Sequence, residues 1–86
     1  MSVATKERTG EGSVSLLGRL FDPGGERSLD DIVSIVVYTT DMREFRQIVA
    51  ARTEFFFDKL PTSTIVEVNH LADPGLMIEF QAIAAL

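Results

Sequence analysis

The spacing of apolar positions changes several times along the chain, and each change marks a boundary between elements. From Ser13 to Phe21, the residues Leu16, Leu17, Leu20 and Phe21 fall at i, i+1, i+4 and i+5, which predicts a short helix with one apolar stripe. Asp22-Pro23-Gly24-Gly25 stops it, because proline disfavours helix in its predecessor and glycine frees the backbone to turn. A loop then runs to Arg27. Ser28-Leu29-Asp30-Asp31 has the form of a helix-start cap, but the β-branched run directly after it predicts a strand, so one turn at most has room to form. That run, Ile32 to Thr40, is largely apolar on both faces, which predicts a central strand covered on two sides.

Asp41-Met42-Arg43-Glu44 predicts a helix start, in which the Asp41 carboxylate accepts from free first-turn amides and Glu44 reaches back. In the helix itself, Met42, Phe45, Ile48, Val49, Arg52, Phe55 and Phe56 recur every three or four residues, with Arg43, Glu44, Arg46, Gln47 and Glu54 on the other side. Phe55-Phe56-Phe57 is more aromatic surface than one helix face buries; it serves either an intersubunit contact or the packing of the last turn on its own core. From Thr64 to His70, Val66 and Val68 alternate with Glu67 and Asn69, the pattern of a half-buried strand. Ala72-Asp73-Pro74-Gly75 is a turn signal, and Leu76 to Ala84 is read as the partner strand. Leu76, Ile78, Phe80 and Ala82 point one way along it, and Met77, Glu79, Gln81 and Ile83 the other. The predicted order is α-β-α-β-β, closing in a hairpin, within the α+β class.

Eighty-six residues, 45% apolar and 24% charged, describe one small folded domain. Residues 1–12, mixed in charge and rich in Ser, Thr and Gly, read as a flexible tail without the apolar run of a signal peptide, which leaves 13–86 as a single domain. The formal charge is -5, and the eight basic residues are scattered, so no basic face is predicted for nucleic acid. With no cysteine there is no disulfide framework, thiolate nucleophile or cysteine zinc site, and the lone His70 gives no histidine-rich metal centre. Asp30 and Asp31 read as a solvated turn and not as metal ligands. The longest apolar runs are far too short for a bilayer crossing, and a cytoplasmic protein is expected.

Leu29-Asp30-Asp31-Ile32-Val33, then Val37-Tyr38-Thr39-Thr40-Asp41-Met42 with Phe45, resembles the central strand and helix start of the Rid (RidA/YjgF-like, reactive intermediate imine deaminase) family. Pro61 to Val68 and Ile78-Glu79-Phe80-Gln81-Ala82-Ile83-Ala84 resemble its last two strands, so the resemblance covers the C-terminal two-thirds. It implies a chorismate-mutase-like fold, a homotrimer with ligand clefts between subunits, and hydrolysis of enamines or imines to 2-oxo acids and ammonia without a cofactor. In the family an arginine shortly after the proline of the penultimate strand holds the substrate carboxylate through its two-pronged donor set. That position is Ser63 here, a neutral hydroxyl flanked by Thr62 and Thr64. The family's water-activating glutamate is matched by Glu79, and an asparagine of its second helix by Val49. Family members also begin with a strand pair, which nothing before residue 13 resembles, so a shortened or truncated member is expected. Its exposed sheet edge and apolar surface would then drive association.

Glu79 is thus the candidate general base, its plainer role being a solvated strand carboxylate. Ser63, Thr64 and Val49 are the candidate ligand contacts, the plainer role of the hydroxyls being that of strand-start residues. Three readings stay open: a protein that binds a small carbonyl or imine compound, with hydrolysis as a residual activity; a non-catalytic ligand-binding or regulatory member that lacks the anchoring arginine; and a structural remnant with no activity of its own.

Overall fold

The computed structural model describes residues 2–20, 31–56 and 60–84. The elements are β1 (Ser2–Thr5), α1 (Thr9–Leu20), β2 (Ile32–Thr39), a 3-10 turn (Met42–Glu44), α2 (Phe45–Phe55), β3 (Thr62–Glu67) and β4 (Ile78–Ala84). They form an α+β unit in which four strands, in the order β1-β4-β2-β3, carry both helices on one face. Phe21 to Asp30 and Phe57 to Lys59 lie outside the described residues, and with them the predicted loop to Arg27, the Ser28 cap and Phe57.

The N-terminal stretch is ordered, contrary to its reading as a tail. Ser2–Thr5 pairs antiparallel with β4, from Ser2 opposite Gln81 to Thr5 opposite Ile78, and α1 starts at Thr9, four residues before the predicted Ser13. The glycines that suggest a tail let α1 approach its neighbours. A Cβ on Gly10 would lie 2.8 Å from Gln47 Cβ, and one on Gly12 would lie 2.8 Å from both Ile78 Cγ2 and Thr5 Cγ2. Only hydrogen fits at such separations.

The predicted hairpin is replaced by a different topology. β3 runs parallel to β2, from Ser34 opposite Thr62 to Thr39 opposite Glu67, and β4 runs antiparallel to β2 on its other side. β2, α2 and β3 therefore make a βαβ crossover, and β2 separates the two strands that the alternation joins. The turn itself forms as read: Leu76 N–H donates to Asp73 C=O at 3.0 Å, and Gly75 N–H to Asp73 Oδ1 at 2.9 Å. It carries the chain across the end of β2, where Thr39 C=O accepts from Val68 N–H at 2.9 Å and Thr40 N–H donates to Met77 C=O at 3.0 Å. Ten residues between β3 and β4 are too many for a tight hairpin and enough for this crossing.

The core lies between helices and sheet. Leu16 and Leu17 of α1, Ile48 and Ala51 of α2, Ile35 and Val37 of β2, and Ile78, Phe80 and Ala82 of β4 are all buried there. Alternation along β4 is as predicted, because its odd-numbered residues stand on the opposite face. Two-sided cover of β2 is not: Ser34, Val36 and Tyr38 are only half-buried, since both described helices lie on the other side. A bulge at Val33, between the Ile32–Ala84 and Ser34–Ile83 pairs, lets β2 bend at its start. The stripe of α2 is also rotated from its predicted position. Glu44, Ile48 and Ala51 are buried, whereas Phe45 is 46% exposed. Glu44 is turned inward, where its carboxylate accepts from the amides at the start of α1.

Candidate functional site

The strand pairings place every candidate residue on one face of the sheet or the other. Pairing of Ser63 with Ile35, and of Ile35 with Ala82, puts Ser63 on the helix-covered face, as does its hydrogen bond to α2. Thr64, opposite Val36, stands on the open face, as does Glu79, opposite Tyr38. One chain thus keeps the four candidates in two groups, Ser63 with Val49 on the helix side and Thr64 with Glu79 on the open side. Glu79 and Ser63 do not meet within it.

On the open face Glu79 is half-buried between β1 and β2, with Ala4 and Tyr38 as its pairing neighbours. Its carboxylate has no hydrogen-bond or ion-pair partner among the described residues, which leaves both oxygens free for water or a ligand. Beside it the Tyr38 hydroxyl donates to Gln81 Oε1 at 3.3 Å. Val66 and Ile83 are exposed on the same face, Ile83 at 62%. A carboxylate among apolar side chains and a tyrosine–glutamine pair can position water once another surface excludes bulk solvent.

On the helix side Ser63 Oγ accepts from Arg52 Nη1 at 2.9 Å, and Arg52 Nε is buried with no hydrogen-bond partner among the described residues. Val49 precedes Arg52 by one helical turn and is half-buried. Periodicity places Arg52 within an apolar stripe and gives it no role. The signal that could have marked it is the residue type itself, since a guanidinium on an otherwise apolar stripe must find acceptors.

Glu44 is expected beside Asp41, but its carboxylate faces the start of α1. Oε2 accepts from Thr9 N–H at 3.2 Å and Thr9 Oγ1–H at 3.0 Å, Oε1 accepts from Gly10 N–H at 3.4 Å, and Arg8 Nη2 lies 3.3 Å from Oε1. These amides are unpaired within their own helix, so a carboxylate from 34 and 35 residues away caps them. Asp41 caps the 3-10 turn, its Oδ1 accepting from Arg43 N–H at 3.1 Å and Arg43 Nε–H at 2.9 Å. The hydrogen bond from the Arg43 side chain holds the Asp41 carboxyl below its ordinary pKa, against a smaller opposing effect of desolvation. Glu67 Oε1 closes the same turn by accepting from Met42 N–H at 2.8 Å. A groove of about 400 Å³ between the helices, lined by Arg8, Gly10, Val14, Glu44, Gln47 and Ala51 among others, touches none of the candidates. Its one buried carboxylate, Glu44, already has its acceptors occupied.

No helix among the described residues is long and apolar enough to cross a membrane, and no cluster of three or more metal-ligating side chains forms among them.

Comparison with known proteins agrees with this architecture. The chain is 35% identical over 57 residues to RutC family proteins of Pyrococcus horikoshii and Pyrococcus abyssi, covering 66% of this chain and 44% of each relative. It therefore spans under half the length of those relatives. A Mycobacterium tuberculosis member of the YjgF/YER057c/UK114 family superposes with a TM-score of 0.87 at 25% identity, over 100% of this chain and 75% of the other. A Pseudomonas aeruginosa protein of unknown function gives 0.77 at 30% identity, over 91% and 58%. Residues 25–86 match the family model described as Endoribonuclease L-PSP, and the chain belongs to that family, the YjgF/RutC group.

Proposed function

We propose that this protein binds a small carbonyl or imine metabolite in a cleft between subunits of a homotrimer, and that it hydrolyses the bound enamine or imine with Glu79 as the group that activates water. A cytoplasmic location is part of the proposal. The observation that carries it is the placement of Glu79: half-buried on the face without helices, its carboxylate unpartnered among the described residues, beside exposed apolar side chains. A second copy laid on that face would cover Val66 and Ile83 and dry the surroundings of the carboxylate. Opposite facing of Glu79 and Ser63 supports a shared cleft, since two groups on opposite faces of one sheet can serve one ligand only if different copies supply them. Water attack on the imine carbon, with one water proton passing through Glu79 to the imine nitrogen, would give a carbinolamine; Glu79 would then take the carbinolamine O–H proton and deliver it to nitrogen as the C–N bond breaks, so that both water protons leave on ammonia and the water oxygen stays on the oxo compound. A formal charge of -5 with dispersed basic residues argues against the ribonuclease activity that the family's description suggests.

One observation favours a second reading, a non-catalytic ligand-binding or regulatory protein: β3 offers the neutral Ser63 where the family carries an arginine, and α2 offers the apolar Val49. An assay of enzymatically generated 2-iminopropanoate separates the two. Hydrolysis above the uncatalysed rate in wild type, lost in Glu79→Gln while sedimentation still shows a trimer, is the expected result. A background rate in folded wild type would leave the binding protein as the better account.

A further inference from the structure

We infer that the groove between α1 and α2 is a docking site for a protein partner that presents a basic amphipathic helix. The groove opens on the outward side of the helix layer: Glu11, Val14, Gln47, Ala50 and Glu54 of its lining are exposed, whereas Leu16, Leu17 and Ile48 of the same helices are buried toward the sheet. It is a different surface from the one that carries Glu79, and the inference stands apart from the chemistry proposed there. Its volume of about 400 Å³ is that of a binding site and not of a packing defect.

Shape and charge together select the occupant. Val14, Ala50 and Ala51 make an apolar floor of short side chains, and Val14 is 46% exposed on it. Among the charged groups of the lining, Arg8 lies 3.3 Å from Glu44, and those two offset each other. Glu11 and Glu54 are left, with no hydrogen-bond or ion-pair partner among the described residues. Glu54 is also misplaced for its own helix. It stands in the last turn of α2, where the free carbonyls disfavour a carboxylate, and the residues three and four before it are alanines that offer no counter-charge. Helix stability does not account for Glu54, whereas a cation brought by a partner does. A lysine or arginine suits the place, since its stem lies along apolar surface while its head reaches a carboxylate at the rim.

The two carboxylates also set a register. Gly10 abuts Gln47, where an added Cβ would lie 2.8 Å from Gln47 Cβ, so Glu11 is beside the start of α2. Glu54 is two turns farther along that helix, roughly 10 Å from Gln47. A helix laid in the groove matches this with basic residues at i and i+7 and small apolar residues at i+3 and i+4.

Nuclear magnetic resonance titration with a synthetic peptide of about 20 residues, long enough to hold a helix, tests this. The peptide carries lysine at i and i+7 with alanine and leucine at i+3 and i+4; one control moves a lysine to the opposite face, and another replaces both lysines by glutamate. The first peptide should shift the amides of Val14, Gln47, Ala50 and Glu54, and added salt should weaken it. Combining Glu11→Gln with Glu54→Gln should weaken it roughly five- to tenfold. Ala50→Leu, which fills the groove from an exposed position, should abolish binding. Glu11→Lys with Glu54→Lys should reverse the preference, taking the glutamate peptide over the lysine one. That gain, together with preserved signal dispersion, separates a lost contact from a lost fold. No binding of the lysine peptide to folded wild type, equal affinity in the doubly glutamine-substituted protein, or shifts confined to the open face around Gln81 and Ile83 overturns the inference.

Discussion

The two faces of the sheet are built from alternate residues of the same strands, yet they are held to different standards. Toward the helices, Ile78, Phe80 and Ala82 are buried against Leu16, Leu17 and Ile48, and glycines replace any side chain that would keep α1 at a distance. Away from the helices, Glu79, Gln81 and Ile83 of the same strand are half-buried or exposed, with Val36, Tyr38 and Val66 beside them. One face commits its side chains to packing; the other keeps them available for contact. A strand places these roles one residue apart, so the candidate base can change without touching the core.

The sharpest way to break this comparison is to truncate neighbours on β4. Phe80→Ala removes a fully buried ring and should cost about 3–5 kcal/mol in denaturant unfolding, a large fraction of what so small a domain has. Gln81→Ala, one residue on, should stay within about 0.5 kcal/mol. Equal losses at both positions would show that the open face is packed as tightly as the covered one.

The next effect belongs to the tie between the helices. Glu44→Ala removes the acceptor for Thr9 N–H, Thr9 Oγ1–H and Gly10 N–H and should cost about 2–3 kcal/mol, with Glu44→Gln costing less because one oxygen remains. Amide exchange should quicken at the start of α1 before it does in α2. Unchanged exchange at Thr9 and Gly10 would show that the carboxylate does not hold that helix.

Regions differ in how far the sequence discloses them, for physical reasons. β2 is legible because its β-branched run is a local property, and β4 because alternation reports which residues share a face. Pairing is not legible, since period two says nothing about which neighbour a strand chooses. A covalent link through Pro74-Gly75 makes β3 and β4 look adjacent, although ten intervening residues allow β4 to pass beyond β2. Glu44 and Arg52 are hidden for a related reason. Helical periodicity sorts residues by polarity, so it sends a buried carboxylate to the solvent side and treats an arginine on an apolar stripe as filler. Both are explained only by partners distant in sequence, the amides at Thr9 and Gly10 and the hydroxyl of Ser63. The tail reading of residues 1–12 fails likewise, because Gly10 and Gly12 look permissive alone and restrictive only against Gln47 and Ile78.

The smallest expected effect lies where neither face governs, at the solvent-facing pair of Asp41 and Arg43. Arg43 is 91% exposed at its side chain, so its contacts with the Asp41 carboxylate, though near 3 Å, are screened and add little stability. Their signature is in the pH dependence. Because the folded protein holds the Asp41 carboxyl below its ordinary value, the stabilisation is complete above the unfolded value of about 3.9 and is lost as pH falls through the folded value. Arg43→Ala removes the side-chain bonds but keeps the backbone bond from residue 43 to Oδ1, so part of the depression should survive. The stability difference between wild type and Arg43→Ala should therefore be small and constant near neutral pH and should shrink in acid. Denaturant midpoints of the two proteins from about pH 2 to 7 measure it, and a difference that widened toward acid would mean that Arg43 acts through another group.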